Sequence, residues 1–339
     1  MAIHPTTRMI LKALSFDGIE VEKERHLADL KRLDPMKIFY KTADVDVYNG
    51  DHKVPVRLFF PDEETKDAYE KDELEFPKLL LYFHGGGWVI NTIDNYERIC
   101  TRLAISTKHI VAAVEYRLAP EHKFPFGLYD CYAAAESIYR HYEELGMDPD
   151  EITLIGDSAG GNLVAAVSLI ARDQGSFHPK RQILIYPAVY NDYSENSPFP
   201  SVRENGSDYL LTAGKMQDYI RLYAAKEEDK KNPYFAPYLA KDLSHQPDTL
   251  LLTAEFDPLR DEGEAYGRRL KEAGNVVEMH RIKDALHGYF SLGIKFFHVQ
   301  ESFDYINEFL GGSHGETETS PLEKTGQRGK TIFSGKHKE

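Results

Sequence analysis

The chain has 339 residues, 42% of them hydrophobic and 28% charged, and its 41 Lys and Arg against 55 Asp and Glu leave a net charge of −14. Such a chain can bury a sizeable core without disulfide or metal staples, and its acidic balance argues against nucleic acid or an anionic membrane surface as partner, since both require clustered cations. Cys100 and Cys131 form neither a disulfide framework nor a CxxC pair, no run approaches the ~18–20 apolar residues of a membrane span, and residues 1–16 lack the apolar stretch of a secretion signal, so the expected compartment is the cytoplasm.

In chain order, the spacing of Met9, Ile10 and Leu14, and again of Leu27, Leu30 and Leu33, predicts one or two amphipathic helices within residues 1–36. Segments 37–48 and 54–60, separated by Asn49-Gly50, read as a strand pair joined by a turn. The Asp-, Glu- and Lys-rich interval 62–75 reads as a solvated loop. Short apolar runs then alternate with helical patterns. Strands are expected at 78–83, 110–114, 152–155, 182–186, 249–254 and 276–282, and helices near 95–107, 126–144, 160–172 and 262–273. That alternation indicates a mostly parallel sheet covered on both faces by helices. Residues 188–246, rich in Tyr and Pro and helical near 212–226, interrupt the rhythm as an insertion over one end of the sheet. Residues 311–339 hold few large apolar side chains and are expected to be disordered.

Three motifs carry chemistry. Gly156-Asp157-Ser158-Ala159-Gly160 lies between a strand-like and a helical run. A serine flanked in this way occupies a tight, strained strand-to-helix turn that lifts its hydroxyl above the sheet edge. His84-Gly85-Gly86-Gly87-Trp88 follows the run at 78–83, and consecutive glycines let backbone N–H groups converge on an anion. Gly85, Gly86 and Gly87, together with Ala159 beside the serine, are therefore candidate oxyanion donors. Neither phosphate-binding glycine pattern is present. His84 reads as a brace for this loop.

A serine nucleophile needs a base, and the base needs an orienting carboxylate. Of the histidines after Ser158, His287 alone follows the last strand-like run in a loop rising at its C-terminal end, whereas His178 and His245 sit in polar links, His280 lies in a strand and His298 falls in the final helix. Asp257 emerges directly after the run at 249–254, ahead of Pro258, and is favoured over Asp261, which suits a capping role, and over Glu255. Trp88, Tyr190, Tyr209 and Tyr219 are candidates to wall the substrate pocket, with core packing as the competing role.

Taken together, HGGGW (84–88), YRLAPEH (116–122), GDSAGG (156–161), DPLRDEG (257–263) and HGYF (287–290) resemble the hormone-sensitive-lipase-like branch of the α/β-hydrolase fold over about residues 37–310. The resemblance implies a triad of Ser158, Asp257 and His287 and an oxyanion loop at Gly85–Gly87. It also implies a helical cap built from residues 1–36 and 188–246 over a catalytic domain of 37–187 and 247–310. The implied activity is hydrolysis of small-molecule carboxylic esters, usually of short acyl chains, without metal or organic cofactor. Amide cleavage by the same triad is one alternative, and a non-catalytic ligand-binding protein on the same fold is another. The oligomeric state stays open, a homodimer included.

Overall fold

The computed structural model describes residues 5–15, 17–29, 37, 39–75, 77–292 and 296–311. Leu30, Leu33 and residues 312–339, which carry the expectations of further helix and of a disordered tail, lie outside them. Helices α1 (Pro5–Leu14) and α2 (Val21–Asp29) precede a hairpin of β1 (Thr42–Asn49) and β2 (His52–Phe59), closed by Gly50 at φ +60°. The interval expected to be a loop instead forms α3 (Glu63–Glu70), which buries no side chain. Asp62 caps it by accepting from the Thr65 N–H at 2.8 Å. Its Tyr69 packs on Phe60 with ring centroids 5.1 Å apart, but one such residue makes no apolar period by which to recognise a helix.

The alternating part then follows as β3 (Leu79–Phe83), α4 (Ile93–Thr107), β4 (Ile110–Val114), α5 (Phe126–Arg140), β5 (Ile152–Asp157), α6 (Ala159–Gln174) and β6 (Arg181–Ile185). An insertion bearing α7 (Pro200–Asn205) and α8 (Ala213–Tyr223) leads to β7 (Asp248–Phe256), α9 (Arg260–Glu272), β8 (Val277–Leu286) and α10 (Phe297–Phe309). The eight strands form one sheet in the order β1-β2-β4-β3-β5-β6-β7-β8, antiparallel across β1/β2 and β2/β4 and parallel thereafter.

Side chains of a strand alternate between faces, and the central strands are buried on both. In β3, Leu79, Leu81 and Phe83 join the core shared with α5, α6 and α9, while Leu80 and Tyr82 join the core shared with α4 and α10. Cys100 and Cys131 are buried on α4 and α5, where burial pushes both thiols well above their ordinary pKa and keeps them un-ionised. Helix α6 is buried from Ala159 to Ala171, between the sheet and the insertion. Its small residues permit that approach: a Cβ on Gly160 would collide with the carbonyl oxygen of Phe83.

Glu262, in the first turn of α9, is fully buried and ties down the start of the insertion. It accepts from the N–H groups of Val189 (2.8 Å) and Tyr190 (3.1 Å) and from the Tyr193 hydroxyl (2.9 Å). Burial pushes its pKa from 4.5 up to about 8, against the pull of those donors and with help from the charge of Asp257. The folded protein therefore binds this proton more tightly than the unfolded chain does. Its contribution to stability is complete below pH 4.5 and is lost as pH rises through about 8. Denaturant melts of Glu262→Gln, which keeps an acceptor but cannot ionise, should show a smaller loss of stability between pH 5 and 9 than the wild type, by about 2–4 kcal/mol.

Candidate active site

Each candidate side chain stands at the C-terminal end of a parallel strand, where the crevice of an open α/β sheet lies. Ser158 follows β5, the glycine loop follows β3, Asp257 follows β7 and His287 follows β8. Because β5 passes into α6 with Ser158 alone between them, the serine backbone is forced to φ 56°, ψ −118°, a conformation that L-residues rarely adopt. The turn is held by the Ser158 N–H donating to the Ile185 carbonyl at 2.8 Å and by the Asn162 N–H donating to the Ser158 carbonyl at 3.0 Å.

Ser158 Oγ lies 2.9 Å from His287 Nε2, and His287 Nδ1 lies 2.6 Å from Asp257 Oδ2. The other carboxylate oxygen of Asp257 accepts from the Leu259 N–H at 2.8 Å, and the whole side chain is buried. With the carboxylate accepting at Nδ1, the neutral imidazole carries its proton there and presents a bare Nε2 to the serine hydroxyl. The two other carboxylates weighed from sequence are engaged elsewhere. Asp261 accepts from the Ser201 N–H at 2.7 Å, capping α7 rather than its own helix, and Glu255 accepts from the Asp284 N–H at 2.7 Å.

Ser158, Ala159, His287, Gly86 and Gly87 line one cavity of about 170 Å³. Leu211, Met216 and Tyr219 from the insertion, with Trp88 and Ile90, supply its apolar wall. Gly86 has φ +124°, and a Cβ there would strike the Ile90 carbonyl, so the turn requires glycine. Of the four aromatics considered, Trp88 and Tyr219 reach the cavity. Tyr190 packs instead on Phe199 and Tyr238, and Tyr209 packs on Phe256.

Gly85 departs from the sequence expectation and is removed from the candidate oxyanion donors. Its N–H donates to Asp157 Oδ1 at 2.9 Å, with the Tyr96 hydroxyl a second acceptor at 3.1 Å, so the group is turned into the protein. Asp157 is thus a residue that the motif reading passed over. Only 2% exposed, it also accepts from the hydroxyls of Tyr82 and Tyr96, both at 2.9 Å. Burial raises its pKa, and these hydrogen bonds offset only part of that rise. The signal in the sequence was a charge closing an otherwise apolar strand. His84 is buried, stacks on Tyr116 at 4.3 Å and is held near pKa 4 by desolvation, so it is neutral at physiological pH. Its ring contacts the loop carbonyl of Gly85 at 2.9 Å.

A serine on a strained strand–helix turn, with an imidazole and a buried carboxylate in series behind it, defines a serine hydrolase of the α/β type. A family model described as alpha/beta hydrolase fold matches residues 80–291. An arylesterase of Saccharolobus solfataricus is 37% identical over 250 residues, covering 74% of this chain and 77% of its own. Esterase LipI of Mycobacterium tuberculosis is 35% identical over 295 residues, covering 85% and 88%. A solved hyperthermophilic esterase from the archaeon Pyrobaculum calidifontis superimposes with a TM-score of 0.79 at 34% identity, over 91% of this chain and 98% of that one. The chain belongs to the α/β-hydrolase family, in its hormone-sensitive-lipase-like branch.

Removing one donor from the buried carboxylate tests the network around Asp157. Tyr96→Phe should cost about 1.5–3 kcal/mol in a denaturant melt, the usual range for a hydrogen bond to a charged group. It should also lower activity, because the hydroxyl holds Gly85 as well.

Proposed function

We infer that the chain is a serine carboxylesterase that hydrolyses short-chain carboxylic esters through an acyl-enzyme on Ser158. The observation that carries this reading is the continuous relay from Ser158 through His287 to Asp257, at 2.9 and 2.6 Å, opening on a cavity lined by Gly86, Gly87 and Ala159. His287 Nε2 takes the hydroxyl proton as Ser158 Oγ attacks the ester carbonyl. Asp257 keeps the imidazole in its tautomer and stabilises the imidazolium that forms. The backbone N–H groups of Gly86, Gly87 and Ala159 receive the developing oxyanion, a role in which each donor is typically worth ~10²–10³ in rate. His287 then returns the proton to the departing alcohol, and water repeats the sequence on the acyl-enzyme. No step calls for a metal or an organic cofactor.

The N-terminal helices and the insertion act as the cap in this reading, and the insertion sets acyl length. A cavity of about 170 Å³ closed by Leu211, Met216 and Tyr219 accommodates an acyl group of a few carbons. A binding protein on the same fold would have no use for a base within reach of a strained, half-buried serine.

Incubation with a paraoxon-type organophosphate should add one phosphoryl group to the native chain by intact mass and none to Ser158→Ala. A native chain that is folded and takes no adduct would shift the reading to ligand binding. Ser158→Ala and His287→Ala should each abolish turnover of p-nitrophenyl butyrate, while Ser158→Ala keeps its unfolding free energy within about 1 kcal/mol. With p-nitrophenyl esters, kcat/KM should fall at least tenfold between butyrate and laurate, and a chelator should leave it unchanged. The ratio of ester to anilide turnover then decides between esterase and amidase.

A further inference from the structure

The loop that carries Gly86 and Gly87 is held at both ends. At its start, Asp157 takes the Gly85 N–H. From Gly86 the chain makes a single helix-like turn, with the N–H groups of Val89 and Ile90 both donating to the Gly86 carbonyl, at 3.1 and 3.0 Å. Such a turn leaves carbonyls at its far end that need donors from elsewhere. The Trp88 carbonyl receives the Ala119 N–H at 2.8 Å. The Val89 carbonyl, on a fully buried residue, receives a side chain from far away in the sequence: Arg25 Nε, on α2, at 2.9 Å.

The same guanidinium donates through Nη2 to the Ala119 carbonyl at 3.0 Å, and through Nη1 and Nη2 to the two oxygens of Glu121, each at 2.8 Å. One planar fork therefore spans the glycine loop and the YRLAPEH segment behind it. Lys has a single rotating ammonium and cannot reproduce that pattern. Glu121 is half exposed, so the ion pair contributes little by itself and serves to orient the fork. Hydrogen bonding to Arg25 holds the Glu121 carboxyl down to a pKa of about 2, so it stays ionised throughout the working range.

We propose that Arg25, outside the region matched by the family model, is a positioning residue for the oxyanion loop. By clamping the carbonyls of Val89 and Ala119 it sets where Gly86 and Gly87 stand relative to Ser158. Arg25 touches neither substrate nor reacting atoms, and the proposal rests on the esterase reading above.

The test is Arg25→Met, which keeps the apolar stem and removes the fork, with Arg25→Lys and Glu121→Gln alongside. Active sites are counted by organophosphate titration, so that activity is expressed per competent Ser158. Expected for Arg25→Met are a kcat per titrated site lower by about tenfold or more and KM within about twofold. The inhibition constant of a trifluoromethyl ketone, which forms a tetrahedral oxyanion on the serine, should rise by the same factor as kcat/KM falls. Arg25→Lys should be intermediate, and Glu121→Gln should lose less than about threefold. A role in stability alone would reduce the number of titratable sites and leave kcat per site and the inhibition constant unchanged, and that result overturns the proposal. If Arg25→Met does not fold, Arg25→Lys with wild-type kcat per site overturns it equally. A wild-type chain that takes no adduct would instead sink the esterase reading and Arg25's role with it. Normal wild-type labelling with an unaffected Arg25→Met sinks only the latter.

Discussion

A carboxylate buried at the end of the central strand must find its solvation within the protein, and the geometry of the site follows from how Asp157 does so. A buried charge without partners costs several kcal/mol, and here the partners come from the elements that surround β5. Tyr82 reaches it from the end of β3, Gly85 from the loop that follows, Tyr96 from α4, and Tyr186, at 3.4 Å, from the end of β6. The carboxylate is therefore a hub joining three strand ends and a helix. Its neighbour in sequence is Ser158, so the nucleophile is set against the glycine loop through two adjacent residues rather than through a chain of packed side chains. The charge remains costly, as its raised pKa records. Such expense at a functional site is typical of groups kept for placement rather than for stability.

What could be read from the sequence, and what could not, divides along physical lines. Strand β4 coincides with the apolar run 110–114 because His109 and Glu115 bound it on both sides. Strand β8 continues to Leu286, past the apolar run that ended at Ile282, because pairing with β7 resumes at Phe256 and Leu286 after a bulge that takes up residues 283–285. Helix α3 was hidden for the opposite reason: the pattern used to find helices is a periodic apolar face, and this one offers only Ala68 and Tyr69. Ser158, Asp257 and His287 were legible because each directly follows a strand, and parallel strands bring their ends to one edge. Gly85 was misjudged because its N–H direction depends on Asp157, 72 residues later. Tyr219 could not be told from Tyr190 for a similar reason, since both are tyrosines of one insertion and only the packing of α8 turns one of them into the cavity.

The N-terminal helices and the insertion are also fastened to each other. Arg8 on α1 holds Asp208 at 2.9 Å, Ser15 Oγ accepts the Leu210 N–H at 2.8 Å, and Asp17 accepts from the Thr212 hydroxyl at 2.5 Å. These bonds span the loop ahead of α8, the helix whose Met216 and Tyr219 wall the cavity. The shape of the pocket thus depends on an N-terminal segment whose described residues do not line it, and this segment also carries Arg25 to the far side of the glycine loop.

That arrangement has a consequence for a chain emerging from the ribosome. Arg8 and Asp208 are separated by 200 residues, so at ordinary translation rates of 5–20 residues per second the N-terminal helix is made roughly 10–40 s before its partner exists. The serine turn must likewise await His287, 129 residues downstream. Helices α1 and α2 are therefore made well before the residues they dock against, and Ser158 meets His287 only once β8 has been made.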